Sequence, residues 1–215
     1  ELIAYGKANR LTNATQGIGA SGHLIGEQFK QLTGVELTHG GVHGNTRESR
    51  WPAIGPSQIA SDYYASVVPK AMEAEDIERV RGDWVRAAEL VRDAGMDIVY
   101  VYGGHSYLPL QFLSPFYNKR TDAYGGSLEN RARFWLETLA AVRGAVGDDC
   151  AIAVRFCVEA LSPAGVELEE GLGFIRLADH LVDLWDVNVG SILEWSKDSG
   201  PSRFFKEGYQ LEWTG

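Results

Sequence analysis

Four times along the chain an amphipathic helical pattern runs through a short turn into an apolar strand and then a polar or glycine-rich loop. That alternation limits the possible folds more than any other feature. Gly34–His39 reads as a strand, preceded by a helix through Leu24 to Gln31. Asp76–Arg92 places Ile77, Val80, Trp84 and Val91 on one helical face and leads into a strand at Ile98–Tyr102. Ser127–Val146, with Ala132, Trp135, Leu139 and Val142 on one face, leads into Ala151–Phe156, and Leu172–Leu184 leads into Trp185–Val189. Strands this apolar have no wet face, so they predict a parallel sheet covered by helices, either a barrel or a doubly wound sheet.

With 215 residues, 45% hydrophobic and 23% charged, the chain can build one sizeable core. Its net charge of −9 argues against a nucleic-acid or anionic-membrane surface, both of which reward clustered Lys and Arg. The sequence contains no apolar run of the roughly 18 residues that a spanning helix needs. Glu1-Leu2-Ile3-Ala4-Tyr5 lacks the basic and apolar regions of a signal peptide, so a cytoplasmic location is expected. Cys150 and Cys157 flank a predicted strand without CxxC spacing and read as buried free thiols.

The loops choose between the two architectures. Gly17-Ile18-Gly19-Ala20-Ser21-Gly22 fits GxGxxG but follows a poor strand, so a flexible glycine-rich loop is the better reading. Polar groups instead gather after every strand: His39 and His43, then Tyr102, His105 and Tyr107, then Arg155, then Glu194, Trp195 and Asp198. Reactive residues supplied by several successive strand ends mark the working face of a (β/α) barrel. Arg155 lies inside an apolar strand, where an unpaired guanidinium is too costly. It must meet an anionic or electron-rich ligand or sit in a buried salt bridge, for which Glu36 is one candidate partner. His39 and His43 lack the spacing of a strong metal site, and no metal is expected.

Gln111-Phe112-Leu113-Ser114-Pro115, Asn118-Lys119-Arg120-Thr121-Asp122 and Tyr124-Gly125-Gly126-Ser127-Leu128-Glu129-Asn130-Arg131 together resemble the signature of the Old Yellow Enzyme superfamily of FMN barrels. Val99 to Leu110 and Gly200-Pro201-Ser202-Arg203-Phe204 are most similar to its trimethylamine and dimethylamine dehydrogenase subgroup. The resemblance covers roughly Gly34 to Trp213. It implies an α/β chain forming a partial (β/α)8 TIM barrel, about half a barrel of parallel strands with outer helices, matching roughly strands three to six. Residues 1–33 are then a divergent N-terminal segment and residues 34–215 the partial barrel. Relatives in this subgroup also carry a cysteine bonded to FMN and a 4Fe-4S centre, but neither Cys150 nor Cys157 falls at a matching position. FMN is therefore expected to be non-covalent or absent in this chain.

The same resemblance implies roles for individual residues. Tyr102, His105 and Asp198 match a catalytic triad, in which a carboxylate fixes the imidazole tautomer and the imidazole eases ionisation of the phenol. Trp195 matches one wall of an aromatic bowl for a methylated ammonium, held by cation-π attraction of about 0.5 to 2 kcal/mol. Tyr107 joins it as a substrate-binding candidate. Arg155 and Glu36 match flavin-contacting positions, with His39 grouped beside them. Ser127 reads more simply as a helix N-cap, and Arg120 with Asp122 as a loop-fixing ion pair. The implied activity is FMN-dependent oxidative N-demethylation of a small methylated amine, with an electron-transferring flavoprotein as acceptor. An ene-reductase is the alternative enzyme, and a non-catalytic, self-assembling half barrel is the alternative outside enzymology. Unpaired sheet edges would favour a homo-oligomer.

Overall fold

The computed structural model describes residues 36–44, 51–61 and 68–190. Its centre is a four-stranded parallel sheet in the order β1 (Glu36–Leu37), β4 (Ile98–Gly103), β5 (Ala151–Glu159) and β6 (Leu184–Val189). Two short strands, β2 (Ile54–Gly55) and β3 (Lys70–Ala71), form a separate parallel pair. The alternating pattern thus predicted an α/β fold with parallel strands correctly. Among the described residues, no helix is long and apolar enough to cross a membrane.

Helix α1 (Ala74–Asp93) starts at a capping box, where the Glu73 N–H donates to the Asp76 carboxylate at 3.0 Å. Its buried residues Ile77, Val80, Trp84, Ala88 and Val91 recur at helical spacing and pack against the sheet. Helix α3 (Leu128–Val146) starts at Ser127, whose hydroxyl accepts from the Asn130 N–H, as expected of an N-cap. Between β4 and α3 lies a short buried helix, α2 (Leu108–Leu113), with Pro109 in its first turn. Nothing in the helical periodicity marks it, because all six of its residues are buried and no polar face remains to reveal a period.

The fourth helix departs from expectation. Leu172–Leu184 was the predicted span, whereas α4 covers Leu168–Ala178 and passes through a 3₁₀ turn at Asp179–Leu181. The early start depends on Gly171, because a Cβ there would stand 2.0 Å from the Val158 carbonyl oxygen and hold the helix off β5. The early stop follows from the sheet: the Asp183 N–H already donates to the Ile152 carbonyl at 2.9 Å, so β6 begins at Leu184.

Side-chain alternation gives the sheet two chemically different faces. Val99, Val101, Ile152, Val154 and Phe156 join the helices in the main core. There Trp135 meets Phe174 edge-to-face at 4.6 Å, and Phe112 stacks on Phe134 at 4.2 Å. Tyr100, Tyr102 and Ala153 point the other way and form a separate cluster with Ile98 and Tyr107. Both cysteines are buried.

The motifs that carried the family resemblance brace the loops. Asn118 Nδ2 donates to the carbonyls of Phe112 and Tyr124, both at 2.7 Å. Arg120 ion-pairs with Asp122 and donates to the Pro56 and Met72 carbonyls, tying the loop to the small sheet. Arg131 is buried, pairs with Glu170 on α4, and donates to the Gly126 and Leu113 carbonyls. Its fixed fork of donors suits this three-way bracing.

Candidate functional site

The strand β4 ends at Gly103, and the chain then makes a turn that few sequences adopt. His105 and Ser106 both have left-handed backbone conformations, with φ of 55° and 57°, and both are buried. Each costs about 1–2 kcal/mol in a non-glycine residue, so packing must enforce the turn. The Tyr107 N–H closes it on the Gly104 carbonyl at 3.1 Å, and Gln111 Nε2 donates to the Ser106 carbonyl at 2.6 Å. The result folds His105 back over its own strand. Its Nδ1 shares a hydrogen bond with the Tyr102 hydroxyl, and the two rings stack with centroids 5.7 Å apart. Tyr107 also contacts Tyr102, its ring tilted at a centroid distance of 5.5 Å.

Gln111 also fixes the neighbouring loop. Its Oε1 accepts from the Val42 N–H at 3.0 Å and its Nε2 donates to the Gly40 carbonyl at 3.1 Å. Gly41, at φ 60°, is required here because a Cβ would lie 2.0 Å from Gln111 Oε1. One fully buried amide therefore clamps the loops after β1 and β4 together. Sequence reasoning saw Gln111 only as a motif letter. Its function depends on residues about 70 positions away, which no local pattern encodes.

Arg155 on β5 sits in register with Tyr102 on one side and Asp186 on the other. Its Nη1 donates to Asp186 Oδ2 at 2.6 Å, and the Tyr100 hydroxyl donates to the same oxygen. Asp186 is thus a salt-bridge partner of Arg155 among the described residues. Burial works against the charge of Arg155, yet Asp186 and the two tyrosine oxygens outweigh it and keep the guanidinium protonated. Burial first, then the Asp186 carboxylate, pushes the Tyr100 phenol well above its ordinary range, so Tyr100 remains a donor. Arg155 Nε is buried without a hydrogen-bond partner among the described residues. A buried donor left over after a salt bridge is what a ligand's acceptor would satisfy. A Cβ on Gly104 would stand in ordinary contact with the Arg155 Cγ, at 3.5 Å, so the loop backbone passes close to the guanidinium side chain.

His39 occupies another environment. Its Nδ1 accepts from the Gly41 N–H at 3.0 Å, and it lines an open cavity of about 680 Å³ with Trp51, Ile54, Lys70, Asp76 and Arg79. Burial, helped by the Arg79 guanidinium and opposed by Asp83, lowers its pKa from 6.5 to about 4. Above pH 6.5 folded and unfolded chains both hold it neutral. Between pH 6.5 and 4 the unfolded chain gains a proton that the folded one refuses, so stability falls as pH falls. The loss should reach at most about 3 kcal/mol. Urea unfolding across this window should show a slope that His39→Asn flattens; an unchanged slope would mean that His39 does not titrate as described.

The structure therefore brings Tyr102, His105, Tyr107 and Arg155 to one face of the sheet and puts His39 nearer α1. Glu36 stands opposite Tyr100 in the β1–β4 register. Trp195 and Asp198 lie outside the described residues, as does the Gly17–Gly22 loop. Asp186 and Tyr100 were missed, although a charged residue inside Trp185–Val189 is the same signal that singled out Arg155.

Residues 25–213 match the family described as NADH:flavin oxidoreductase / NADH oxidase. Dimethylamine dehydrogenase of Hyphomicrobium sp. (strain x) is 47% identical over 192 residues, 85% of this chain and 26% of the relative. NADPH dehydrogenase of Bacillus subtilis (strain 168) is 32% identical over 223 residues, 100% of this chain and 62% of the relative. Histamine dehydrogenase from Rhizobium sp. 4-9 superposes with a TM-score of 0.74 at 35% identity, over 81% of this chain and 26% of that one. The chain thus spans about a quarter of the two amine dehydrogenases.

Proposed function

The chain belongs to the NADH:flavin oxidoreductase / NADH oxidase family, and from that premise we propose that it forms part of a (β/α)8 barrel that oxidises a small methylated amine with FMN. The observation that carries this reading is the Tyr102–His105 hydrogen bond on the sheet face where Arg155 retains an unsatisfied donor. The greater identity to dimethylamine dehydrogenase than to NADPH dehydrogenase also favours an amine over an alkene substrate.

The residues present fit a flavin ring. Arg155 Nε would donate to the acceptor-rich pyrimidine edge, with Glu36 and His39 as further contacts on the β1 side. FMN, when bound, would supply the two-electron acceptor for a carbon-hydrogen bond next to nitrogen. Tyr102, supported by His105 and, as the resemblance implies, by Asp198, would take the ammonium proton and free the nitrogen lone pair. Trp195 and Tyr107 would hold the methylated nitrogen by its cationic face. Water would then hydrolyse the oxidised carbon-nitrogen bond to an aldehyde and the demethylated amine, and the electrons would pass to an electron-transferring flavoprotein. The 4Fe-4S centre expected of relatives would lie outside this segment, and the chain would self-associate into a homo-oligomer.

The purified protein should show visible flavin absorption that bleaches on anaerobic addition of dimethylamine or trimethylamine. Bleaching by NADPH alone, with recovery on adding an unsaturated ketone, would replace this reading with an ene-reductase. A protein that takes up no FMN even in excess would fit the non-catalytic module instead.

A further inference from the structure

The described part of the tyrosine-bearing face carries one carboxylate whose contacts are defined, and it is already engaged. Asp186 accepts at a single oxygen from Arg155 Nη1, at 2.6 Å, and from the Tyr100 hydroxyl. The three residues come from adjacent strands, with Arg155 and Asp186 in direct register. Their side-chain exposures of 9% and 24% leave the pair only lightly screened. Tyr102 and Asn188 stand two residues beyond Tyr100 and Asp186 on their own strands, so the network lies directly beneath the Tyr102–His105 pair.

We propose that Asp186 is a positioning residue that sets how much of the Arg155 charge reaches the flavin, by holding Nη1 and neutralising the guanidinium while leaving Nε for the ligand. This inference rests on the FMN reading above and adds a control element to it. An unopposed guanidinium beside the pyrimidine edge stabilises the added electrons of reduced FMN and binds that form more tightly. A carboxylate within hydrogen-bond distance of the guanidinium cancels part of that field. Asp186 therefore keeps reduced FMN from being over-stabilised, which favours onward release of electrons. Tyr100 completes the device: by donating to Asp186 it fixes the carboxylate rotamer, and so the approach of Nη1.

Asp186→Asn retains an acceptor oxygen and removes the charge. In the FMN-bound protein, the ratio of reduced to oxidised FMN affinity should rise about tenfold or more, and Asp186→Glu should bring it back toward the wild-type value. A second measurement needs no flavin. Among the described residues, the charged or titratable groups placed around Tyr100 include Asp186 from β6, Arg155 from β5 and Tyr102 on β4 itself, and Glu36 holds the facing β1 register position. In FMN-free protein, alkaline titration of tyrosinate absorbance should show one phenol ionising at lower pH in Asp186→Asn than in the wild type. Adding Tyr100→Phe should remove that signal. An unchanged titration would overturn the charge coupling whatever FMN does. A changed titration with an unchanged affinity ratio would overturn control of the flavin while leaving the FMN reading intact. Failure of the wild type to take up FMN would sink the FMN reading and flavin control with it, and the titration would still decide whether the Asp186 charge acts on Tyr100 in the shared network.

Discussion

Tyr102→Phe should slow reduction of bound FMN by an amine about 10² to 10⁴-fold while leaving the flavin spectrum and the fold unchanged. The substitution deletes one oxygen, the one hydrogen-bonded to His105 Nδ1, and keeps the ring that contacts both His105 and Tyr107. Whatever the hydroxyl contributes to proton removal is lost, and the stacking that shapes the face is not. Stopped-flow reduction across amine concentration and pH separates the two, because a binding defect moves the half-saturating concentration and a proton-transfer defect moves the limiting rate and its pH profile. If Phe at this position left both rate and profile intact, the pair would be structural, and the left-handed backbone at His105 and Ser106 would need another explanation.

The largest effect on stability is expected at the contact between Gly103 and Trp135. A Cβ on Gly103 would come within 1.8 Å of Trp135 Cζ2, so Gly103→Ala must displace the indole or bend the end of β4. Overpacking of that kind costs about 1–3 kcal/mol. Trp135→Ala should cost about 3–5 kcal/mol, since the indole is fully buried against Phe156 and Phe174. The double variant is the discriminating measurement: once the indole is gone, alanine at 103 should add almost nothing to the loss. Additive losses in urea unfolding would show that Gly103 is required for its backbone rather than for the room it leaves. The outcome bears on function, because the same strand end launches the turn that carries His105.

The sequence was legible where local periodicity and burial agree. Helices α1 and α3 and strands β4, β5 and β6 were placed within about one turn of their observed starts, because each has a polar side or a Gly, Ser or Pro boundary that reports its period. The helix before β6 was misplaced because its limits are set by a backbone approach at Gly171 and by pairing of Asp183, both nonlocal. Helix α2 escaped because a fully buried segment has no amphipathic pattern to detect. At the site, Tyr102, His105 and Arg155 were visible as polar residues at or inside apolar strands.

By itself, then, the sequence determined a helix-covered parallel α/β sheet and identified Arg155 as a charge that must be compensated, since burying a lone guanidinium is too costly for any fold to tolerate. Only the tertiary structure decided what compensates it. Strand register, which depends on the combined packing of α3 and α4 against the sheet, puts Asp186 beside Arg155 and Tyr100 within reach of the same carboxylate oxygen. The Gln111 clamp and the enforced turn at His105 are likewise products of long-range packing. Hydrophobic periodicity along the chain specifies which residues face one another's side of a sheet, but the partner across the gap is fixed only when the whole core closes.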